Sequence, residues 1–77
     1  MSLNHVYIAP CFSNSFSSLE DAKWNLQIGL TRNEAMKYLG QNDHLKITHF
    51  IGGRLHSVTP ILVDETGIIT FGKTRIV

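Results

Sequence analysis

Apolar residues fall in short runs along this chain, and their period changes from strand-like to helix-like and back. His5-Val6-Tyr7-Ile8-Ala9 is β-branched and aromatic and stops at Pro10. It predicts a first strand at a sheet edge, since proline has no N–H to give a ladder. Ser13-Asn14-Ser15-Phe16-Ser17-Ser18 follows as a polar loop broken by one phenylalanine. Leu19, Ala22 and Leu26 then recur at helical spacing and predict a helix over 18–28. Ser17 and Glu20 are spaced as a capping box, in which the hydroxyl accepts from the Glu20 N–H and the carboxylate reaches back. Glu20 and Asp21 suit the positive end of the helix dipole, and Gly29 is placed for a left-handed C-terminal cap. The alternation of Trp24, Leu26, Ile28 and Leu30 also fits a strand, and helix is the reading taken.

A second, shorter helix is expected next. Thr31-Arg32-Asn33-Glu34 is another capping box, Leu30 can staple onto Ala35, and Ala35, Tyr38 and Leu39 form a stripe that Gly40 ends. At about eight residues such a helix cannot stand alone in water and must be packed.

From Leu45 the chemistry turns to strand. Lys46–Ile51 is rich in β-branched and aromatic residues, and Gly52-Gly53 suits a type I′ hairpin, whose two central residues both need positive φ. Arg54 to Val63 returns antiparallel, and Asp64-Glu65-Thr66-Gly67 turns into Ile68–Phe71 and a tail through Val77. Simple alternation then pairs Ile51 with Arg54, His49 with His56 and Ile47 with Val58. Across the second turn it pairs Leu62 with Ile69 and Pro60 with Phe71. Ile47, Ile51, Val58, Leu62, Ile69 and Phe71 become the core face. The opposite face carries Lys46, Thr48, Phe50, Leu55, Ser57, Thr59, Ile61, Val63, Ile68 and Thr70. The expected fold is α+β: a small antiparallel β-meander with one or two short helices packed on one face, in a single domain spanning 1–77.

Composition narrows the function. Seventy-seven residues with a formal charge of +1 lack the basic footprint of proteins that bind nucleic acid mainly by charge. At 43% hydrophobic and 17% charged the chain can bury a core, which argues against disorder. One cysteine, Cys11, excludes an internal disulfide framework and a multi-cysteine zinc site. No Lys or Arg precedes Val6–Phe12, and no apolar run approaches the roughly 20 residues of a membrane span. A soluble, cytoplasmic protein with no membrane association is expected.

Residues able to carry chemistry have structural roles to hand. His44, His49 and His56 invite a metal reading, but His49 and His56 supply two ligands with no evident third. Cys11 has no base that spacing places beside it, although His5 could approach. Glu20, Asp21 and Glu34 suit helix starts, Asp43 lies in a connection, and Asp64 and Glu65 occupy a turn. Gly52-Gly53 lacks the Lys-Ser/Thr and following helix of a phosphate loop. No catalytic residue, metal or cofactor is therefore expected. Trp24 is expected in the core, and with Tyr38 it is the large amphipathic anchor available should a surface be used. The reading that remains is a non-catalytic small regulatory or inhibitory protein acting by protein–protein binding or self-association as a homodimer. Phe50, Leu55 and Ile61, with the basic residues Arg54, Lys73 and Arg75, are its partner-binding candidates.

One pattern implies a different function. Leu30-Thr31-Arg32-Asn33-Glu34-Ala35-Met36-Lys37-Tyr38-Leu39-Gly40 resembles the opening helix of the excisionase and MerR-like DNA-binding family. There a Leu-Thr cap leads into Glu-Ala and closes on Leu-Gly, and Gly53-Arg54-Leu55 stands at a similar distance to the family's Gly-Arg-Leu. The resemblance covers residues 30–58. It implies a winged helix-turn-helix that binds nucleic acid, with Asn42–Ile51 as recognition helix and Thr59–Phe71 as wing. The same stretch holds one lysine and no arginine between Asp43 and Ile51, and its Ile and Thr prefer sheet, so the meander is kept as the lead.

Overall fold

A computed structural model of the protein describes residues 4–10, 12–30, 32–37 and 45–77. In chain order its elements are β1 (His5–Ile8), α1 (Leu19–Gly29), α2 (Arg32–Met36), β2 (Lys46–Ile51), β3 (Arg54–Val63), β4 (Ile69–Phe71) and β5 (Arg75–Ile76). The strands pair antiparallel in the order β1-β2-β3-β4, with β5 on β3 beside β4. The first strand thus joins the meander at its edge, as Pro10 predicts.

β3 is the spine. β2 runs along one side, and β4 and β5 share the other, linked by the Gly72 N–H donating to the Pro60 carbonyl at 2.9 Å. Three residues lie between Phe71 and Arg75 but only two between their partners Val58 and Ile61, so β4 and β5 are two halves of one bulged edge strand. The β2–β3 hairpin turns on Gly52 and Gly53 with φ of 57° and 81°, the positive values that the Gly-Gly pair predicts. In the next turn one Asp64 oxygen accepts from the Thr66 N–H at 2.8 Å, the Thr66 hydroxyl at 2.6 Å and the Ile68 N–H at 3.0 Å. These bonds, the Thr66 hydroxyl's first among them, hold the Asp64 carboxyl below its usual range.

The register departs from simple alternation at one point. His49 pairs with Ser57 and Phe50 with Leu55, so His56 is an extra residue on β3. A one-residue slip turns every later side chain of that strand to the other face. Ser57, Thr59 and Ile61 therefore share the inner face with Ile47, while Val58 and Leu62 point outward. Ile61, expected on the binding face, is 2% exposed, and Leu62, expected in the core, is 45% exposed. The second turn is also one residue longer than expected, pairing Val63 with Ile69 and Ile61 with Phe71. The two shifts cancel, so Ile69 and Phe71 reach the core as alternation predicts.

Around Ile47, Ile61 and Ile69 the core gathers Ala9, Ala22, Leu26, Ala35 and Leu45, with Tyr7, Phe12, Phe16, Leu19, Leu30, Val63 and Phe71 against it. Leu19, Ala22 and Leu26 are the stripe expected of α1. Its cap lies one residue later than the capping box predicts: Ser18, not Ser17, accepts from the Asp21 N–H at 3.2 Å. Gly29 is the last helical residue and Leu30, with φ of −98°, is the C-cap, so no left-handed glycine closes α1. Gly29 instead allows close approach, since a Cβ there would lie 3.0 Å from the Phe12 ring. On α2, Ala35 is buried as expected, whereas Thr31, Tyr38, Leu39 and Gly40 lie outside the described residues. Residues 46–51, which the DNA-binding resemblance required as recognition helix, are strand, and 42–44 lie outside the described residues. Among the described residues no helix is long and apolar enough to cross a membrane.

The bulge makes a direct stability prediction. Ile61→Ala removes a buried side chain and should cost on the order of 2–5 kcal/mol, while Leu62→Ala should cost about 1 kcal/mol or less. Denaturant midpoints at unchanged slope measure both. Equal costs would put the bulge elsewhere.

Candidate functional site

Alternation from the observed pairings builds the outer face of the sheet row by row. One row crosses Val6, Phe50 and Leu55, and the next crosses Ile8, Thr48, Val58 and Arg75. Lys46 and Pro60 form a third, and Leu62 with Thr70 a fourth. Ile8, Leu55 and Leu62 are exposed, and Val6, Thr48, Phe50, Val58 and Pro60 are half-buried. A cleft of about 400 Å³ opens at one end of these rows, lined by Leu45, Lys46, Val58, Pro60, Arg75, Ile76 and Val77. Lys46 and Arg75 are its two side-chain charges, and neither has an ion-pair partner among the described residues. The acidic residues among those described stand elsewhere: Glu20 and Asp21 in the first turn of α1, Glu34 on α2, and Asp64 and Glu65 in the β3–β4 turn, while Asp43 lies outside the described residues.

The candidates read from the sequence divide accordingly. Phe50 and Leu55 pair on the outer face, as expected. Ile61 does not belong there: the His56 bulge turns it into the core. Arg54 is exposed at the hairpin opposite Ile51, in inner-face register, and Lys73 is exposed in the β4–β5 connection. Arg75 lies opposite Val58 and shares its cleft with Lys46, so the basic pair of this face is Lys46 and Arg75 rather than the expected set of Arg54, Lys73 and Arg75. Val58 and Leu62 were hidden by the bulge. Val6 and Ile8 were hidden by the unread pairing of β1 with β2. Trp24, expected in the core, is 61% exposed on α1, and Tyr38 lies outside the described residues.

A second cluster occupies the hairpin end of the inner face. His49 is 9% exposed and lies under the Tyr7 ring at 4.0 Å, nearly parallel at 10°. His5 Nδ1 stands 3.0 Å from His49 Nε2, and Ser57 Oγ stands 3.4 Å from His49 Nδ1. His56, the bulged residue, packs edge-on to His49 with ring centroids 5.1 Å apart, so the expected contact survives without the expected pairing. A neutral imidazole offers one donor and one acceptor, which suits the His5–His49 bond, whereas two imidazolium rings would offer donors only. Burial, then the charges of His56 and His5, lower the His49 pKa below its ordinary value.

Ser57 in this cluster is 5% exposed, and its contact to His49 is long at 3.4 Å. Among the described residues no group of three or more His, Cys, Asp or Glu side chains is placed to hold a metal ion, and His44 and Cys11 lie outside them. Compared with protein-family models, curated proteins and solved structures, the chain matches none.

The lowered His49 pKa fixes a pH dependence. Below about pH 6.5 the unfolded chain takes up a proton at this position before the folded protein does. Stability should therefore fall as the pH drops from about 6.5 toward the lower folded pKa, and this contribution should level off beneath it. Urea midpoints between pH 7.5 and 5, compared with His49→Gln, measure the effect. A variant with the same acid slope as the parent would remove His49 as its source.

Proposed function

We propose that the protein is a small non-catalytic regulatory or inhibitory protein of the cytoplasm that binds another protein through the outer face of its sheet. In this reading the chain is one domain, with its helices covering the inner face. The observation that supports it is the run of exposed and half-buried apolar side chains across three strands, with Lys46 and Arg75 at one end and no carboxylate among its rows. Monomers seldom leave so large an apolar face bare.

The charges select the partner's chemistry. A face-to-face pair of identical copies conflicts with these charges, because both copies present the same patch and its rows carry no carboxylate to meet Lys46 and Arg75. A protein surface that joins apolar side chains to Asp or Glu meets the same face without that conflict. Strand addition is a poorer route. Tyr7 of the β1 edge already exchanges both backbone hydrogen bonds with Phe16, at 3.0 and 2.8 Å, and the far edge is short and bulged.

A random displayed-peptide library tests the reading. Selected peptides should combine apolar residues with Asp or Glu and should shift amide resonances of Phe50, Leu55, Val58 and Leu62. Leu55→Lys and Leu62→Lys should each weaken them at least about tenfold while leaving the fold intact, since a surface lysine keeps its charge in water. Shifts confined to the Tyr7–His49 end, or sequence-selective duplex DNA binding at roughly 150 mM salt, would overturn it.

A further inference from the structure

Two surfaces of this chain complement one another and cannot meet within one molecule. The first is the outer-face cleft, apolar at Leu45, Val58, Pro60 and Ile76, with the cations Lys46 and Arg75. The second is the exposed stripe of α1. Trp24 and Ile28 are four residues apart, so they share one side of the helix, and each is 61% exposed. At 100° per residue they stand about 200° round the helix from Ala22 and Leu26, the residues that α1 buries in the core. The stripe therefore lies on the side of α1 opposite its buried residues, with Trp24 reaching the cleft that Phe71 of β4 also lines. Glu20 lies one turn before Trp24, and Glu20, Asp21, Trp24 and Phe71 line a common cleft of about 390 Å³. Lys23, the cation of that cleft, stands over the Phe71 ring at 5.4 Å. The Glu20 and Asp21 carboxylates have no cationic partner among the described residues.

We propose that a second copy of this chain docks head to tail, with Trp24 of one copy seated in the Lys46–Arg75 cleft of the next. A cleft of about 400 Å³ falls in the range that holds small-molecule ligands and can take an indole ring. An exposed tryptophan is the side chain most often found at the centre of a contact. The two cations suit both parts of the incoming stripe: they attract the face of the indole ring, and they pair with Glu20 and Asp21 beside it. The contact joins unlike patches, so a pair of copies keeps one free cleft and one free stripe, and growth continues along a line. It rests on the outer face being a binding surface. It adds that the chain itself competes for that face, so assembly and partner binding exclude one another.

Sedimentation velocity between roughly 10 and 500 µM tests it. The average mass of the wild-type protein should rise with concentration, and Trp24→Ala should lower the association constant at least about tenfold. Two charge reversals, Lys46→Glu with Arg75→Glu and Glu20→Lys with Asp21→Lys, should each stay monomeric while keeping the parent circular dichroism. Mixed in equal amounts they should associate again, because each variant then meets the opposite charge on the other. A wild-type protein that is monomeric throughout, a Trp24→Ala variant that associates like the parent, or a mixture that stays monomeric would each overturn the proposal. If displayed peptides still bind the outer face in any of those cases, only the head-to-tail contact fails. If Leu55→Lys leaves peptide binding unchanged, the outer-face reading fails first.

Discussion

Between His49 and Phe50 the β2–β3 ladder takes in one extra residue, His56, and the orientation of the rest of β3 follows from that insertion. Because strand side chains alternate with a period of two, the insertion decides which of Ile61 and Leu62 is inside. It also decides that Ser57 and Thr59, not Val58, face the core. A ladder without the bulge would bury Val58 and Leu62 and leave Ile61 in water. It would be an equally apolar strand with a different outer surface.

Polar groups come inside with that choice, and each has a partner. Thr59 exchanges a hydrogen bond with Thr74 at 2.8 Å, Ser57 reaches His49, and His49 reaches His5. Among the described residues no buried side-chain polar atom lacks a hydrogen bond. This matters because an unpaired buried polar group costs about 1–3 kcal/mol, comparable to the about 1.5–3 kcal/mol that burial of one whole isoleucine side chain contributes. Thr74 belongs to the β4–β5 connection, where the far edge strand carries its own bulge. The first bulge is on β3 itself, at His56, and the second is on the strand facing it, between Phe71 and Arg75, so the two insertions flank Ser57 and Val58 in the ladder.

Legibility in the sequence tracks the range of the cause. Gly52-Gly53 states its own geometry, and the spacing of Leu19, Ala22 and Leu26 states which side of α1 is buried; both are local and both hold. The cap of α1 was legible only to within one residue, because Ser17 and Ser18 offer the same hydroxyl to successive N–H groups. The bulge left no local mark. His56 is neither glycine nor proline, and what places it is the packing of three imidazoles and a tyrosine drawn from β1, β2 and β3. Half the outer face was lost with it, since Val58 and Leu62 trade places with Ser57, Thr59 and Ile61.

Trp24 marks the other limit, and its position explains why this fold has two apolar surfaces instead of one. A large aromatic residue in an 11-residue helix would be read as core by its size alone. The helix, however, packs through Ala22 and Leu26, which are fully buried, and through Leu19 behind them. Alanine and glycine on that side let α1 settle close: Ala22 has no exposed surface and Gly29 touches the Phe12 ring. A helix seated this closely on small residues has no room for an indole beneath it, so Trp24 is directed outward. Among the described residues Ala22 and Leu26 of α1 join the core, and the apolar rows of the outer face stay exposed or half-buried. The same close packing that saves α1 from needing Trp24 therefore leaves the chain with an exposed indole on one side and an uncovered apolar face on the other.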